Sequence, residues 1–110
     1  MKYVDFEAGN KSYKLRLNTR NIVALEKQLG CNPLSIFGDG ETLPPVSTVI
    51  TILHSALQQL NHGISLNDAM DIFDDYLEDG NEMASFIAVI IDIFKASGLI
   101  KDDAVAEKNV

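Results

Sequence analysis

The residues of this chain best suited to chemistry are the carboxylates crowded between Asp71 and Glu82, the single Cys31, and the two imidazoles His54 and His62. A dense acidic run invites a calcium reading, because an EF-hand loop sets ligands at positions 1, 3 and 5, glycine at 6 and a bidentate glutamate at 12. With Gly80 as the loop glycine, Asp75 and Asp79 fit the first and fifth positions, but Leu77 takes the third and Phe86 the twelfth. The spacing therefore predicts a solvated helix face and no metal site. One cysteine excludes an internal disulfide, and one Cys with two His is too few for a Cys/His zinc cluster. Cys31 follows a helix-ending glycine instead of leading a helix, so nothing nearby should lower its thiol pKa, and it reads as a small hydrophobe. His54 lies between apolar positions of a helix and His62 in a turn, both as structural or exposed residues. No G-x-S-x-G, P-loop or H-E-x-x-H pattern is present, so neither enzymatic activity nor a cofactor is expected.

What must position these side chains is a chain of 110 residues, 46% hydrophobic and 23% charged. That is the size of one domain, with enough apolar content for a core without disulfides or metal. Sixteen acids against nine Lys and Arg give a net charge of −7, a field that repels phosphate backbones, so nucleic acid is not an expected partner. The charge is uneven: residues 1–30 carry six Lys and Arg against three acids, and residues 31–110 carry three against thirteen. Single-cysteine usage points to an intracellular protein. Acids occupy the start of the chain where a signal peptide needs its apolar run. Met83 to Phe94, the longest apolar helical stretch, is interrupted by Asp92 and falls short of the ~20 residues that a membrane span needs. A soluble protein is expected.

Two runs alternate with period two, Val4 and Phe6 in the first and Tyr13, Leu15 and Leu17 in the second, with Ala8-Gly9-Asn10 between them. This predicts a β-hairpin. Two strands are marginal in water, so the hairpin must lie on the helices that follow. Asn18 and Thr19 can cap a helix over 19–29 that stops at Gly30, and Asn32-Pro33 starts a turn or two ending at Gly38. Gly38 to Pro45 reads as loop. Val46, Val49, Ile50, Leu53, Ala56, Leu57 and Leu60 follow helical spacing for about four turns, until Asn61-His62-Gly63. Ser65 to Asp68 resembles a capping box and opens a helix with Leu66, Ala69, Met70, Phe73, Tyr76 and Leu77 inward and Asp68, Asp71, Asp74, Asp75 and Glu78 outward. After Gly80, a last helix with the stripe Met83, Phe86, Ile87, Ile90 and Phe94 ends at Gly98. The expected fold is α+β, mainly α, with an N-terminal β-hairpin packed on a small bundle of about four helices. It forms a single domain over 1–100, with a flexible polar tail over 101–110.

The last helix also carries Ala84, Ala88, Ile91 and Ile93 away from its main stripe. A helix apolar nearly all round is either the central helix or an interface. The patterning therefore nominates Met83, Ala84, Ile87, Ala88, Ile91 and Phe94 as partner-binding residues, with a homo-oligomer expected through Ala84, Ala88 and Ile91.

Tyr3-Val4-Asp5-Phe6 with Lys11 to Leu17, then Asn21 to Gly30, then Asn32-Pro33-Leu34, together resemble the tail assembly chaperones of long-tailed, siphovirus-type bacteriophages and prophages of Gram-positive bacteria, over roughly residues 1–100. The resemblance rests on element order, size and the helix-Gly-x-Asn-Pro-Leu segment. It implies a non-enzymatic protein of the host bacterial cytoplasm that binds the tape measure protein, helps recruit tail tube protein and is absent from the mature virion. Many such proteins also exist in a longer, frameshifted form, with which a polar end after Lys101 is compatible. The family carries no fixed catalytic residue to transfer. A second class stays open beside it, a small acidic phage or bacterial regulatory adaptor or inhibitor that uses residues 68–82 for protein-protein interaction.

Overall fold

The alternating N-terminus forms two antiparallel strands, β1 (Val4–Ala8) and β2 (Lys11–Leu15), in a computed structural model that describes residues 1–38 and 42–101. Val4 pairs with Leu15 and Phe6 with Tyr13, which gathers the apolar side chains on one face. Phe6, Ala8, Leu15 and the following Leu17 are buried. Gly9 and Asn10 make the two-residue turn with φ of 59° and 65°, the double positive-φ geometry that matches strand twist.

The turn is also clamped from outside. The Gly9 N–H donates to Asp79 Oδ2 at 2.9 Å, and a Cβ on Gly9 would stand 2.8 Å from Asp75 Oδ2 and 3.1 Å from Asp75 Cβ. Gly9→Ala is therefore expected to cost about 1–2 kcal/mol from the left-handed backbone alone, and more as Asp75 is pushed aside. The urea midpoint measures this, and an unchanged midpoint would show that the turn is not held as described.

Four α-helices and one 3-10 turn follow: α1 (Thr19–Leu29), a short turn Pro33–Phe37, α2 (Val46–Leu57), α3 (Leu66–Glu78) and α4 (Met83–Ala96). Their ends follow side-chain chemistry. Asn18 Oδ1 accepts from the Asn21 N–H at 2.9 Å while Asn21 returns the bond to the Asn18 N–H at 3.2 Å. Ser65 and Asp68 close the same reciprocal box on α3. Gly30, at φ 71°, terminates α1 with its N–H on the Glu26 carbonyl. Each satisfied end replaces backbone groups that would otherwise lack partners.

The helix with the most buried residues is α2. Val49, Ile50, Ile52, Leu53, Ser55, Ala56 and Leu57 of α2 are all buried, between β2, α1, α3 and α4. The helix ends at Leu57, short of Leu60, because side-chain amides take over its last carbonyls: Gln58 Nε2 donates to His54 O and Asn61 Nδ2 to Leu57 O, each at 2.9 Å. Asn61 also pairs with the outer edge of β2, accepting from the Lys14 N–H at 3.2 Å and donating to the Lys14 carbonyl at 2.6 Å. A side-chain amide thus stands in for a third strand, which blunts an edge that would otherwise be open to pairing.

Phe6, Phe73, Tyr76 and Phe86 meet where the hairpin, α3 and α4 join. The Phe86 ring lies 5.6 Å from Phe6, 5.3 Å from Phe73 and 5.5 Å from Tyr76, edge to face in each case. The Tyr76 hydroxyl is 2.7 Å from Ser85 Oγ. Since Ser85 Oγ donates to the Glu82 carbonyl, the tyrosine is the donor to the serine. From residue 102 the expected polar tail lies outside the described residues.

Candidate partner-binding surface

The residues nominated on α4 divide three ways. Ala84 and Ala88 are exposed, Met83, Ile87 and Ile91 are half-buried, and Phe94 is fully enclosed. Phe94 is a correction: its ring stacks edge to face 5.9 Å from Phe37, so the 3-10 turn covers it and no partner reaches it. Ile93, placed off the main stripe by its spacing, is also core. Met83 and Ile87 pack partly against the core, whereas Ile91 does not join it. What remains on the outer face of α4 is Ala84, Ala88 and Ile91, with Asp92 beside them; the face is apolar but shallow.

A deeper apolar feature lies on α2 and α3, and the sequence reading missed it. Leu66, Met70 and Leu77, expected inward, are 47%, 41% and 40% exposed. The buried face of α3 is instead Ala69, Ile72, Phe73 and Tyr76, one step round the helix, because Ile72 turns toward the core. Leu66, Met70 and Leu77, at intervals of four and seven, consequently form a stripe along the solvent margin. Where this stripe meets α2, Val46, Ser47, Ile50, Thr51, Leu66 and Met70 line an open groove of about 390 Å³. Val46 is 56% exposed, although its spacing placed it with the core. The available signal was the breadth of the α3 apolar arc, which is wider than one packing contact needs.

Beyond that stripe α3 is acidic. Asp68, Asp71, Asp74, Asp75 and Glu78 are all exposed, as their spacing predicted. The Ser65 backbone N–H, and then its hydroxyl, hold the Asp68 carboxyl below the ordinary carboxylate pKa. Burial, and then the charges of Asp75 and Asp68, push the Tyr13 phenol above its ordinary value. Among the described residues no group of three His, Cys, Asp or Glu side chains converges as a metal ion requires. Millimolar calcium or zinc is therefore expected to leave the melting temperature unchanged, since a metal that bound only the folded state would raise it by mass action. A rise of several degrees would overturn the reading of this face as solvated charge.

Cys31, read from the sequence as a small hydrophobe, is exposed in the turn after Gly30. His54 is half-buried on α2 and His62 is exposed. No helix among the described residues is long and apolar enough to cross a membrane. What the arrangement offers chemically is adhesion, through apolar side chains on two faces of the helical layer with carboxylates beside them.

No curated protein and no solved structure matches the chain. Residues 2–109 match the profile of DUF6096, and the chain belongs to this family of unknown function.

Proposed function

We propose that this protein is a non-enzymatic tail assembly chaperone of a long-tailed phage or prophage. It holds an apolar helical segment of the tape measure protein in the host bacterial cytoplasm, assists assembly of the tail tube around it, and is left out of the mature virion. The observation that carries this reading is the row of large apolar side chains left open on α3, Leu66, Met70 and Leu77, on a helix that also carries five exposed carboxylates. A protein that shields a long, aggregation-prone helical client needs an apolar surface to hold it and a charged exterior to keep the complex in solution. The fold also contains the ordered elements on which the family resemblance rests: hairpin, Gly30-capped helix and Asn32-capped turn.

Co-expression with the tape measure protein and a pull-down in moderate salt tests the proposal. A soluble complex is expected, and none from the folded wild-type chain would remove it. The acidic face of α3 favours one other reading, an adaptor that binds a basic partner mainly by charge. Exposed charges are screened within about 8 Å at physiological salt, so in a chaperone the apolar contacts carry most of the affinity and the carboxylates speed encounter and discriminate among clients of equal hydrophobicity. Replacing Asp74 and Glu78, both exposed, by Lys should therefore weaken capture without abolishing it, and complete loss from a folded variant would favour the adaptor.

The shallow α4 face is assigned to self-association. Ala84 and Ala88 admit close helix approach and Ile91 supplies the apolar contact, so two copies are expected to meet there.

A further inference from the structure

The groove between α2 and α3 lies in an unusual electrostatic setting. No Lys or Arg occurs between Lys27 and Lys95, while ten Asp and Glu do. Both helices that build the groove therefore lack a cation. Asp74 stands one turn and Glu78 two turns beyond Met70 on α3, both exposed, whereas Asp71 lines a separate opening with Lys11 and Tyr13 of the hairpin. The apolar floor comes from Val46, Ile50, Leu66 and Met70, and the hydroxyls of Ser47 and Thr51 complete the lining. A floor made of the flexible Met70 with branched aliphatics accepts aliphatic anchors of varied shape, and the bordering field selects what flanks them.

We infer that this groove is the docking site for an amphipathic helix that presents two or three aliphatic side chains on one face and is flanked by Lys or Arg. The inference deepens the chaperone reading and rests on it for the client's identity, but not for the chemistry of the site. The apolar anchors supply affinity by leaving water, at intervals of three and four residues along the bound helix. The flanking cations meet the α3 carboxylates, which speeds encounter and disfavours acidic or neutral helices of equal hydrophobicity. A second copy of this chain fits poorly, because its own exposed apolar row on α3 is flanked by carboxylates and its α2 carries no Lys or Arg.

The test uses the full chain and a fluorescent peptide of about 18 residues, five helical turns, with Leu on one face and Lys at its flanks. Its twin has Glu in place of every Lys. Saturable binding of the Lys peptide is expected, with at least about tenfold weaker binding of the Glu twin, measured by anisotropy at moderate salt. Met70→Asp and Val46→Asp should each weaken Lys-peptide binding about tenfold or more. Both positions are substantially exposed, and an acid at the first position of α2 suits a helix N-terminus, so circular dichroism should show the fold retained. Val23→Asp, at an exposed site on α1, should change nothing. No binding of the Lys peptide, equal binding of the twin, or full binding by both folded groove variants would overturn the inference. Capture of the tape measure protein by the same variants separates the two proposals. Peptide binding without any capture by wild type leaves the groove standing and removes the chaperone, whereas undiminished capture by both variants removes the groove and leaves the chaperone.

Discussion

Phe86→Ala is expected to destabilise the domain by about 3–5 kcal/mol, the range for deleting a fully buried aromatic and leaving a cavity. Phe86 has no solvent exposure, and its ring is the common neighbour of Phe6 on β1 and of Phe73 and Tyr76 on α3. Removing it takes away the ring that α4 contributes to the cluster and leaves the Phe6–Tyr76 contact at 5.2 Å between hairpin and α3 there, and edge-to-face pairs contribute beyond the area they bury. Domains of this size have about 5–15 kcal/mol in all, so the variant should lose much of its stability. Urea unfolding monitored by circular dichroism measures the cost, and Phe86→Leu should recover part of it. A loss below about 1 kcal/mol would mean that the cluster does not join these elements.

A second large effect is expected in solution mass. Wild type at high concentration should sediment above the 12.1 kDa of one chain, and Ile91→Asp should return it to monomer. Ile91 is half-buried without joining the core, so the charge should not disturb the fold, yet it would be desolvated between two copies. A wild-type monomer, or an oligomer indifferent to this substitution, would remove the α4 face from self-association.

Local chemistry made much of the fold legible. The bounds of α1 follow from Asn18 and Gly30, the hairpin turn from Gly9-Asn10, and the start of α3 from the Ser65–Asp68 box, because each signal is complete within a few residues. The facing of α3 was not legible. Its apolar arc runs from Ile72 round to Met70, and which part turns inward depends on where α2 lies, which no local pattern encodes. The groove was invisible for the same reason, being the part of that arc that α2 leaves uncovered. Asn61 reads as an ordinary helix-ending residue, and its bonds to the Lys14 backbone span 47 positions. On α4, Ala84 and Ala88 were correctly read as lying away from the core, while Phe94 was assigned to a surface because the short turn that covers it, through Phe37, is too brief to announce its packing.

The claim that this protein holds a helical client through its apolar surfaces is tested most directly by amide hydrogen exchange on the chain alone and in complex with co-purified tape measure protein. Binding should slow exchange at the α2 and α3 segments that line the groove, residues 46–51 and 66–70, while α1 keeps its rates. A complex in which those two segments exchange as fast as in the free chain, or the absence of any complex from folded protein, would contradict it.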